Sequence, residues 1–195
     1  MRMTALEKRF VNSEEHTLQV ARRARQLLDR IDIDTGWRYL DVGCGVGATA
    51  GTVAKTYGLD VTGIDVDPGQ IEAARAREIQ PHVRFLVMDA TKLEFSDAEF
   101  DIVATSMATH HIPGWERAFC EMIRVLRPGG YLIYSDLMFP AWLAAAGRRL
   151  IHFVGFPLRN GIEALACGAG LTKVHQSRDG MQADFIWARA TGSNA

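Results

Sequence analysis

The sequence YLDVGCGVG at residues 39–47 decides the fold class of this chain. An apolar run containing Asp41 ends here, and Gly43, Gly45 and Gly47 follow at alternate positions. Glycine permits positive φ angles and close approach of the backbone to a ligand, so a strand that ends in such a loop is typical of a binding site. The stretch predicts a strand, a ligand-binding loop and a helix, although a tight turn without a ligand fits the loop alone.

A second acid lies about twenty residues further on. The segment VTGID at residues 61–65 ends in Asp65, and an acid closing the second strand of a βαβ unit is well placed to accept hydrogen bonds from a ribose diol. Dinucleotide enzymes use G-x-G-x-x-G with the pyrophosphate on the helix N-terminus. The spacing here is G-x-G-x-G, and Asp41 before it would repel a pyrophosphate but suits a ligand with a cationic amine.

Alternating strand and helix patterns continue along the chain and predict an α/β fold with a mostly parallel, doubly wound sheet. Residues 127–130 (RPGG) are predicted to end a helix and turn the chain into the next strand. Residues 1–195 are expected to form a single domain, with an N-terminal helical cap at 1–36 and an apolar insertion at 137–158. The predicted helices are 14–30, 46–57, 67–79 and 115–126, and the predicted strands are 37–42, 61–65, 83–88, 100–106, 131–135, 171–176 and 184–190.

Composition agrees with one globular domain. The chain has 195 residues, of which 48% are apolar, so it can bury a full core. Its 22 basic and 23 acidic side chains nearly balance, so the sequence does not indicate a positively charged surface for nucleic acid. No signal-peptide pattern or membrane-spanning apolar run is present, so no integral membrane segment is expected. Cys44, Cys120 and Cys167 lack metal-ligand spacing, which favours free thiols, no metal site and a cytoplasmic location.

Five blocks together resemble a known family. They span about residues 37–136 and are LDVGCGVG at 40–47, VTGID at 61–65, MDA at 88–90, FDIV at 100–103 leading to HH at 110–111, and LRPGG at 126–130. In this order and spacing they resemble the class I S-adenosylmethionine-dependent methyltransferases, in particular the methyltransferase type 11 group. The resemblance implies a Rossmann-like seven-stranded sheet with an antiparallel C-terminal hairpin, S-adenosylmethionine as the cofactor and a small-molecule methyl acceptor.

The resemblance also implies a cofactor site at the carboxyl ends of the strands. Gly43, Gly45 and Gly47 are expected to wrap the methionine part, and Asp65 to accept from the ribose hydroxyls. Asp89 is expected to accept from the adenine amino group, although an acid in this position also fits a turn. The other residues expected at the cofactor site are Asp41 near the amine, Val66 on the adenine face, Ala90 with its amide on the ring, Cys44 and Ser106.

His110 and His111 follow the fourth predicted strand, at the rim that the resemblance places near the methyl group. A neutral imidazole is a suitable general base near pH 7. One interpretation is therefore that one histidine removes a proton from the acceptor. The alternative is that one histidine packs against the cofactor while the other caps the loop before Pro113.

The sequence gives less information about the residues that would bind the methyl acceptor. Trp142, Leu150 and Phe153 lie on one apolar helical face of the 137–158 insertion, which fits a packed helix, a homodimer contact or a lid over a lipophilic acceptor. Asp136 before it fits either an acceptor pocket or a helix N-cap. Three functions stay open at this point: a small-molecule methyltransferase, a methyltransferase-like binding or regulatory protein without turnover, and a nicotinamide-dependent oxidoreductase.

Overall fold

The computed structural model describes residues 13–77, 80–139, 155 and 157–191. The insertion predicted at 137–158 therefore lies mostly outside the described residues, and so does most of the segment before the first helix. The helices are α1 (Glu14–Leu28), α2 (Ala48–Tyr57), α3 (Pro68–Arg77), α4 (Trp115–Val125) and α5 (Arg159–Gly168). The strands are β1 (Arg38–Val42), β2 (Asp60–Asp65), β3 (Val83–Val87), β4 (Phe100–Ser106), β5 (Leu126–Leu137), β6 (Leu171–Asp179) and β7 (Gln182–Arg189).

The seven strands form one sheet in the order β3-β2-β1-β4-β5-β7-β6. The strands β1 to β5 pair in parallel, whereas β7 runs antiparallel to both β5 and β6. The predicted seven-stranded sheet with an antiparallel C-terminal hairpin is thus confirmed. The strand order reverses between β1 and β4, and ligands of such sheets bind outside the carboxyl ends of the strands at that point.

Helices cover both faces of the sheet. On one face, Leu27 and Leu28 of α1 and Val53 of α2 are buried against Ile102 and Ile186 of the sheet. On the other face, residues of α4 and α5 pack into a separate cluster against β4, β5 and β7. Burial of these apolar side chains is the main driving force that holds the layers together.

Side chains cap the N-termini of α1 and α3. Ser13 accepts the His16 N–H at 3.4 Å and caps α1. Asp67 accepts the Gly69 N–H at 2.9 Å, just before Pro68 begins α3. Such caps satisfy backbone donors that have no partner within the helix.

The structure differs from the sequence expectation at residues 127–130, which lie inside β5 rather than before it. Phe100 pairs with Leu126 and Ile102 pairs with Tyr131, so four residues of β5 bulge opposite Asp101. A Cβ on Gly130 would lie 2.5 Å from the Asp101 carbonyl oxygen, so only glycine fits this contact. Helix α5 was also not expected from the sequence.

Candidate active site

A cavity of about 230 Å³ opens at the carboxyl ends of β1, β2, β3 and β4. Both the glycine loop after β1 and the segment after β4 line it, and the first turn of α1 closes one side. The lining residues are His16, Thr17, Val20, Gly43, Cys44, Gly45, Val46, Ala48, Thr49, Ile64, Asp65, Val66, Met88, Asp89, Ala90, Thr91, Ser106, Met107, Ala108, His111, Ile112, Pro113 and Gly114.

The glycine loop is folded back onto β2. The N–H groups of Gly43 and Cys44 both donate to the Ile64 carbonyl, at 2.8 and 2.9 Å. Gly43 has a φ of +78°, and a Cβ on it would lie 2.3 Å from the Ala108 Cβ. Glycine at this position therefore lets the loops after β1 and β4 approach each other.

Gly45 and Gly47 have different surroundings. Gly45 lines the cavity with a φ of +53°, and a Cβ added to it would have no protein atom within 4 Å. Gly47 precedes α2 with a φ of +71°, does not line the cavity, and its Cβ would lie 2.5 Å from the Phe85 ring. A side chain would thus enter open cavity space at Gly45 but would disturb core packing at Gly47.

Asp65 supports the glycine loop from the end of β2. Its carboxylate accepts the Gly45 N–H at 3.1 Å and the Asp67 N–H at 2.9 Å. A carboxylate has about four acceptor positions, so capacity for two further hydroxyl donors is left. Burial raises the pKa of Asp65, and the two backbone hydrogen bonds partly oppose that shift.

Asp41 lies beneath the cavity and is not one of its lining residues. It is 4% exposed, and burial followed by the charge of Asp65 raises its pKa to about 7. Asp41 and Asp65 therefore form a pair of interacting carboxylates beside the glycine loop. A cation bound here would favour the ionised form of both.

Asp89 and Val66 line the cavity after β3 and β2. One oxygen of Asp89 accepts the N–H and the hydroxyl of Thr91, both at 2.8 Å, so the turn function considered from the sequence is present. The other oxygen receives no hydrogen bond from the described residues. Val66 is 45% exposed and also lines the cavity.

The chain after β4 enters a strained conformation at the cavity. Met107 has a φ of +52°, which side-chain-bearing residues rarely adopt, and its N–H donates to the Ser135 carbonyl at 2.8 Å. A single 3₁₀ turn at Thr109–His111 follows. Ser106, before Met107, lines the cavity as expected.

Asp136 holds this 3₁₀ turn. Its side chain is completely buried, and its Oδ1 lies 2.5 Å from His110 Nδ1 and 2.7 Å from the Leu137 nitrogen. Its Oδ2 accepts the Thr109 N–H at 2.6 Å and the Thr109 hydroxyl at 2.5 Å. The Tyr134 hydroxyl lies 2.5 Å from the Thr109 hydroxyl and extends the network. Asp136 is therefore neither a cavity-lining residue nor a helix N-cap.

The electrostatics of Asp136 follow from these bonds. Burial opposes ionisation, but the hydrogen bond and charge of His110 and the Thr109 hydroxyl outweigh it, so the pKa of Asp136 is lowered. An ionised Asp136 can only accept, so the Nδ1 of His110 carries the proton. The lone pair of a neutral His110 is then on Nε2.

Three histidines lie in or next to the cavity lining. His111 lines the cavity, and the side chain of His110, which is 13% exposed, lies beside it with the two ring centroids 4.0 Å apart. His16 of α1 also lines the cavity. Within the described part of the chain, no group of three or more His, Cys, Asp or Glu side chains is arranged to hold a metal ion.

Comparison with known proteins agrees with this geometry. The model of the family described as "Methyltransferase domain" matches residues 40–134, from β1 through the glycine loop, Asp65, Asp89 and both loop histidines to Tyr134. Residues 40–134 thus belong to the class I S-adenosylmethionine-dependent methyltransferase family. This membership does not favour the oxidoreductase considered from the sequence.

Two curated methyltransferases illustrate the similarity. Methyltransferase GfsG of Streptomyces halstedii is 38% identical over 121 residues, which are 60% of this chain and 44% of that protein. The 2-methyl-6-phytyl-1,4-hydroquinone methyltransferase of Synechocystis is 41% identical over 104 residues, which are 52% of this chain and 32% of that protein. The chain thus spans less than half the length of these relatives.

A solved methyltransferase structure shares the fold. Geranyl diphosphate C-methyltransferase from Streptomyces coelicolor A3(2) superposes with a TM-score of 0.73 over 92% of this chain and 87% of its own. The two sequences are 16% identical, so the likeness concerns the architecture. In the described residues of this chain, no helix is both long and apolar enough to cross a membrane.

The structure brings most of the site residues expected from the sequence together. Asp41, Gly47 and His110 lie just outside the cavity lining, and the other nine expected residues line it. Sequence reasoning missed His16, Val20 and Met107. The i, i+4 spacing of His16 and Val20 in the first turns of α1 was a local signal, but it does not show that this side of the helix faces a ligand.

Proposed function

We propose that the chain binds S-adenosylmethionine in this cavity and transfers its methyl group to a small molecule. The glycine loop supports this proposal because Gly45 presents bare backbone to an open space that a side chain would fill. Asp65 keeps acceptor capacity for ribose hydroxyls, and Asp89 keeps one oxygen for an adenine amino group. Bound here, the cofactor would supply an activated methyl group on a sulfonium sulfur.

The contact between His110 Nδ1 and Asp136 Oδ1 at 2.5 Å carries the mechanistic part of the proposal. It orients the imidazole and leaves the Nε2 lone pair to accept a proton. When His110 takes the proton of an acceptor, the buried Asp136 carboxylate stabilises the imidazolium that forms. This arrangement favours an acceptor whose attacking atom must lose a proton, such as a hydroxyl, over a nucleophile that is already free to attack.

The cavity also suggests the character of the acceptor. No Lys or Arg side chain of the described residues lines it, so an anionic acceptor would lack a partner there. Val20, Met107, Ile112 and Pro113 supply apolar surface instead. We therefore propose an uncharged, partly apolar acceptor with a proton-bearing nucleophile. The curated hydroquinone methyltransferase is similar to this chain and acts, by its name, on a molecule of this kind.

The remaining side chains orient the reacting groups and exclude water from them. Thr109 and Tyr134 hold Asp136 in place through short hydrogen bonds, which keeps His110 in one orientation. Holding reactants in line and away from solvent supplies a large part of the barrier reduction for such a displacement. The three free thiols, Cys44, Cys120 and Cys167, fit the reducing cytoplasmic location proposed from the sequence.

Two measurements test the proposal. Calorimetry with S-adenosylmethionine should show one site, and absence of binding would refute the cofactor assignment. Release of S-adenosylhomocysteine should then be measured with an alkylated hydroquinone, its dimethyl ether and a carboxylated analogue. Turnover is expected with the free hydroquinone alone. Equal turnover of the carboxylated analogue would contradict the uncharged acceptor class.

A further inference from the structure

We infer that a second cavity, at the amino ends of β1, β2 and β3, binds the phosphate group of a small molecule. This cavity has a volume of about 330 Å³ and shares no lining residue with the cavity proposed for the cofactor, which lies at the carboxyl ends of the strands. Phosphate binding here does not depend on methyl transfer, so the inference goes beyond the proposed function. The charge, the fixed orientation and the available hydrogen-bond donors of the lining side chains support it.

Basic side chains dominate the lining of this second cavity. Arg38 begins β1, Arg84 lies on β3, and His82 directly precedes β3. Asp60 is the only acid among the described lining residues. The cofactor cavity, by contrast, is lined by two acids and by no Lys or Arg of the described residues. An anion is therefore attracted to the second cavity and repelled from the first.

Arg84 is held across the sheet by its neighbour on β2. Its Nε donates to Thr62 Oγ1 at 2.8 Å, and Thr62, which pairs with Arg84 in the sheet, is 3% exposed. Neither Nη1 nor Nη2 donates to a group among the described residues. A guanidinium has five N–H groups and Thr62 takes one, so four of those on Arg84 remain for a ligand.

Arg38 is held in a similar way on β1. Its Nη2 donates to Glu99 Oε1 at 2.6 Å, and its Cζ lies 5.5 Å from the centroid of the Phe100 ring. Glu99 does not line the cavity, and the Nε and Nη1 of Arg38 make no hydrogen bond to the described residues. Because both arginines are already held, a ligand that binds them costs less side-chain entropy than one that must order free side chains.

His82 completes the basic part of the lining. Its Nδ1 lies 2.9 Å from Asp60 Oδ1, and its Nε2 has no hydrogen-bond partner in the part of the chain that the structure describes. Asp60 therefore orients the imidazole, and Nε2 can donate to an anion when His82 is protonated.

The arrangement of these donors favours phosphate over a carboxylate. A guanidinium can donate two parallel N–H groups to either anion. Arg38 and Arg84, however, lie on β1 and β3 with β2 between them, and His82 adds a third direction. The oxygens of a carboxylate lie in one plane, whereas a phosphate monoester presents three acceptor oxygens in different directions and can accept from all three side chains.

The test is a titration of the whole protein with inorganic phosphate, followed by nuclear magnetic resonance of the backbone amides and the arginine Nε–H groups. Sodium chloride keeps the ionic strength constant, because salt screens electrostatic attraction. Saturable shifts are expected at residues 38, 60–62 and 82–84, with little change in the glycine loop. We expect a Kd of about 1 mM or lower, so about 10 mM phosphate should fill roughly nine-tenths of the site. Absence of saturable shifts at that concentration would overturn the inference.

Variants of Arg84 separate hydrogen bonding from overall charge. Arg84→Gln should weaken phosphate binding at least about tenfold, because charge-assisted hydrogen bonds are lost. Arg84→Lys keeps the charge but not the planar fork, so its affinity should lie between those of wild type and Arg84→Gln. Arg22→Gln removes the same charge from α1, outside both cavities, and should bind phosphate as wild type does. Equal losses in Arg84→Gln and Arg22→Gln would reduce the effect to overall charge and overturn the inference.

Two further ligands identify the source and the chemistry of the bound group. Glycerol 3-phosphate carries the same anion on a small organic molecule, so tighter binding than that of inorganic phosphate would assign the cavity to a phosphate ester, and the reverse would assign it to free phosphate. Acetate that binds as tightly as phosphate would overturn the phosphate assignment. Failure of S-adenosylmethionine to bind, with phosphate binding intact, would refute the proposed function and leave this inference standing.

Discussion

His110 Nδ1 lies 2.5 Å from Asp136 Oδ1, and this carboxylate is completely buried at the end of β5. The contact joins the loop after β4 to the neighbouring strand and gives His110 one orientation and one tautomer. Asp136 also accepts two hydrogen bonds from Thr109, so it attaches the 3₁₀ turn to the end of β5. The geometry of the proposed base is therefore set by a residue that does not line the cavity.

Asp136→Asn should lower kcat with little change in cofactor affinity. An amide in this place no longer stabilises an imidazolium and can hold His110 in the wrong tautomer. We expect a loss of about 10² to 10⁴ in kcat, the scale of general base catalysis. Steady-state rates across pH should rise with pH in the wild type, and the variant should lose that rise.

The matched control for Asp136 is Asp101→Asn. Asp101 is also a buried acid, but it accepts the Arg38 N–H at the other end of the sheet. Asp101→Asn should reduce thermal stability and leave the pH dependence of kcat unaltered. A similar kcat loss in both variants would mean that Asp136 acts through stability alone.

Asp65→Ala should weaken S-adenosylmethionine binding by about 1.5–3 kcal/mol, the value of hydrogen bonds to a charged group. It removes the proposed ribose acceptor and the carboxylate that holds the Gly45 N–H at 3.1 Å. Asp60→Ala, at the opposite end of β2, should leave affinity unchanged. Calorimetry that returns the same dissociation constant for Asp65→Ala and wild type would refute the assignment.

Gly45→Ala and Gly47→Ala should separate binding from folding. Both positions have positive φ, so each alanine carries about 1 kcal/mol of backbone strain. At Gly45 the methyl group enters the cavity, so affinity should fall while the thermal transition shifts little. At Gly47 the methyl group would lie 2.5 Å from the Phe85 ring, so the melting temperature should decrease more than in Gly45→Ala. Equal decreases of the melting temperature in both variants would contradict this separation of binding from folding.

The raised pKa of Asp41, about 7, makes stability depend on pH. Because its pKa is higher in the folded than in the unfolded state, folding favours the protonated form, and stability decreases as pH rises from about 4 to 7. The shift from 3.8 to about 7 corresponds to at most roughly 4 kcal/mol. Asp41→Asn should therefore raise the melting temperature at pH 8 but not at pH 4.

The same titration should couple to cofactor binding. A cationic ligand favours ionised Asp41, so wild-type affinity for S-adenosylmethionine should increase with pH up to about 7 and binding should release a proton. Calorimetry in buffers with different ionisation enthalpies measures that release. Proton release that persists in Asp41→Asn would assign it to another group.

Gly155→Ala should impair the histidine turn without affecting the cofactor. A Cβ at residue 155 would lie 2.5 Å from the Thr109 carbonyl oxygen and 2.4 Å from that of Ile112. Displacement of this turn should reduce kcat by about tenfold or more, because small misplacements are costly in catalysis. Gly168→Ala is the control, since a Cβ there meets nothing within 4 Å. Loss of cofactor affinity in Gly155→Ala would show that the disturbance spreads beyond the turn.

Much of the fold follows from local patterns. The glycines after β1, the acids ending β2 and following β3, and the strand and helix periodicities are short-range features. The glycines and acids lie where the sequence predicts, and so do the helices and strands except α5 and the first part of β5. Residues 127–130 show the limit of such reasoning. Their Arg-Pro-Gly-Gly composition indicates a turn, but pairing with β4 on both sides makes them a bulge inside β5.

The sequence by itself determined most of the backbone segments that form strands and helices, with α5 and the first part of β5 as exceptions, because dihedral preferences and periodicity act between near neighbours. Only the tertiary structure decided which side chains meet. His110 and Asp136 are 26 residues apart, and Arg23 and Asp184 are 161 residues apart. Nothing in either local pattern encodes these contacts, since they arise when adjacent strands and a covering helix pack together. The part of the cavity surface that α1 contributes, including His16, is therefore a product of packing.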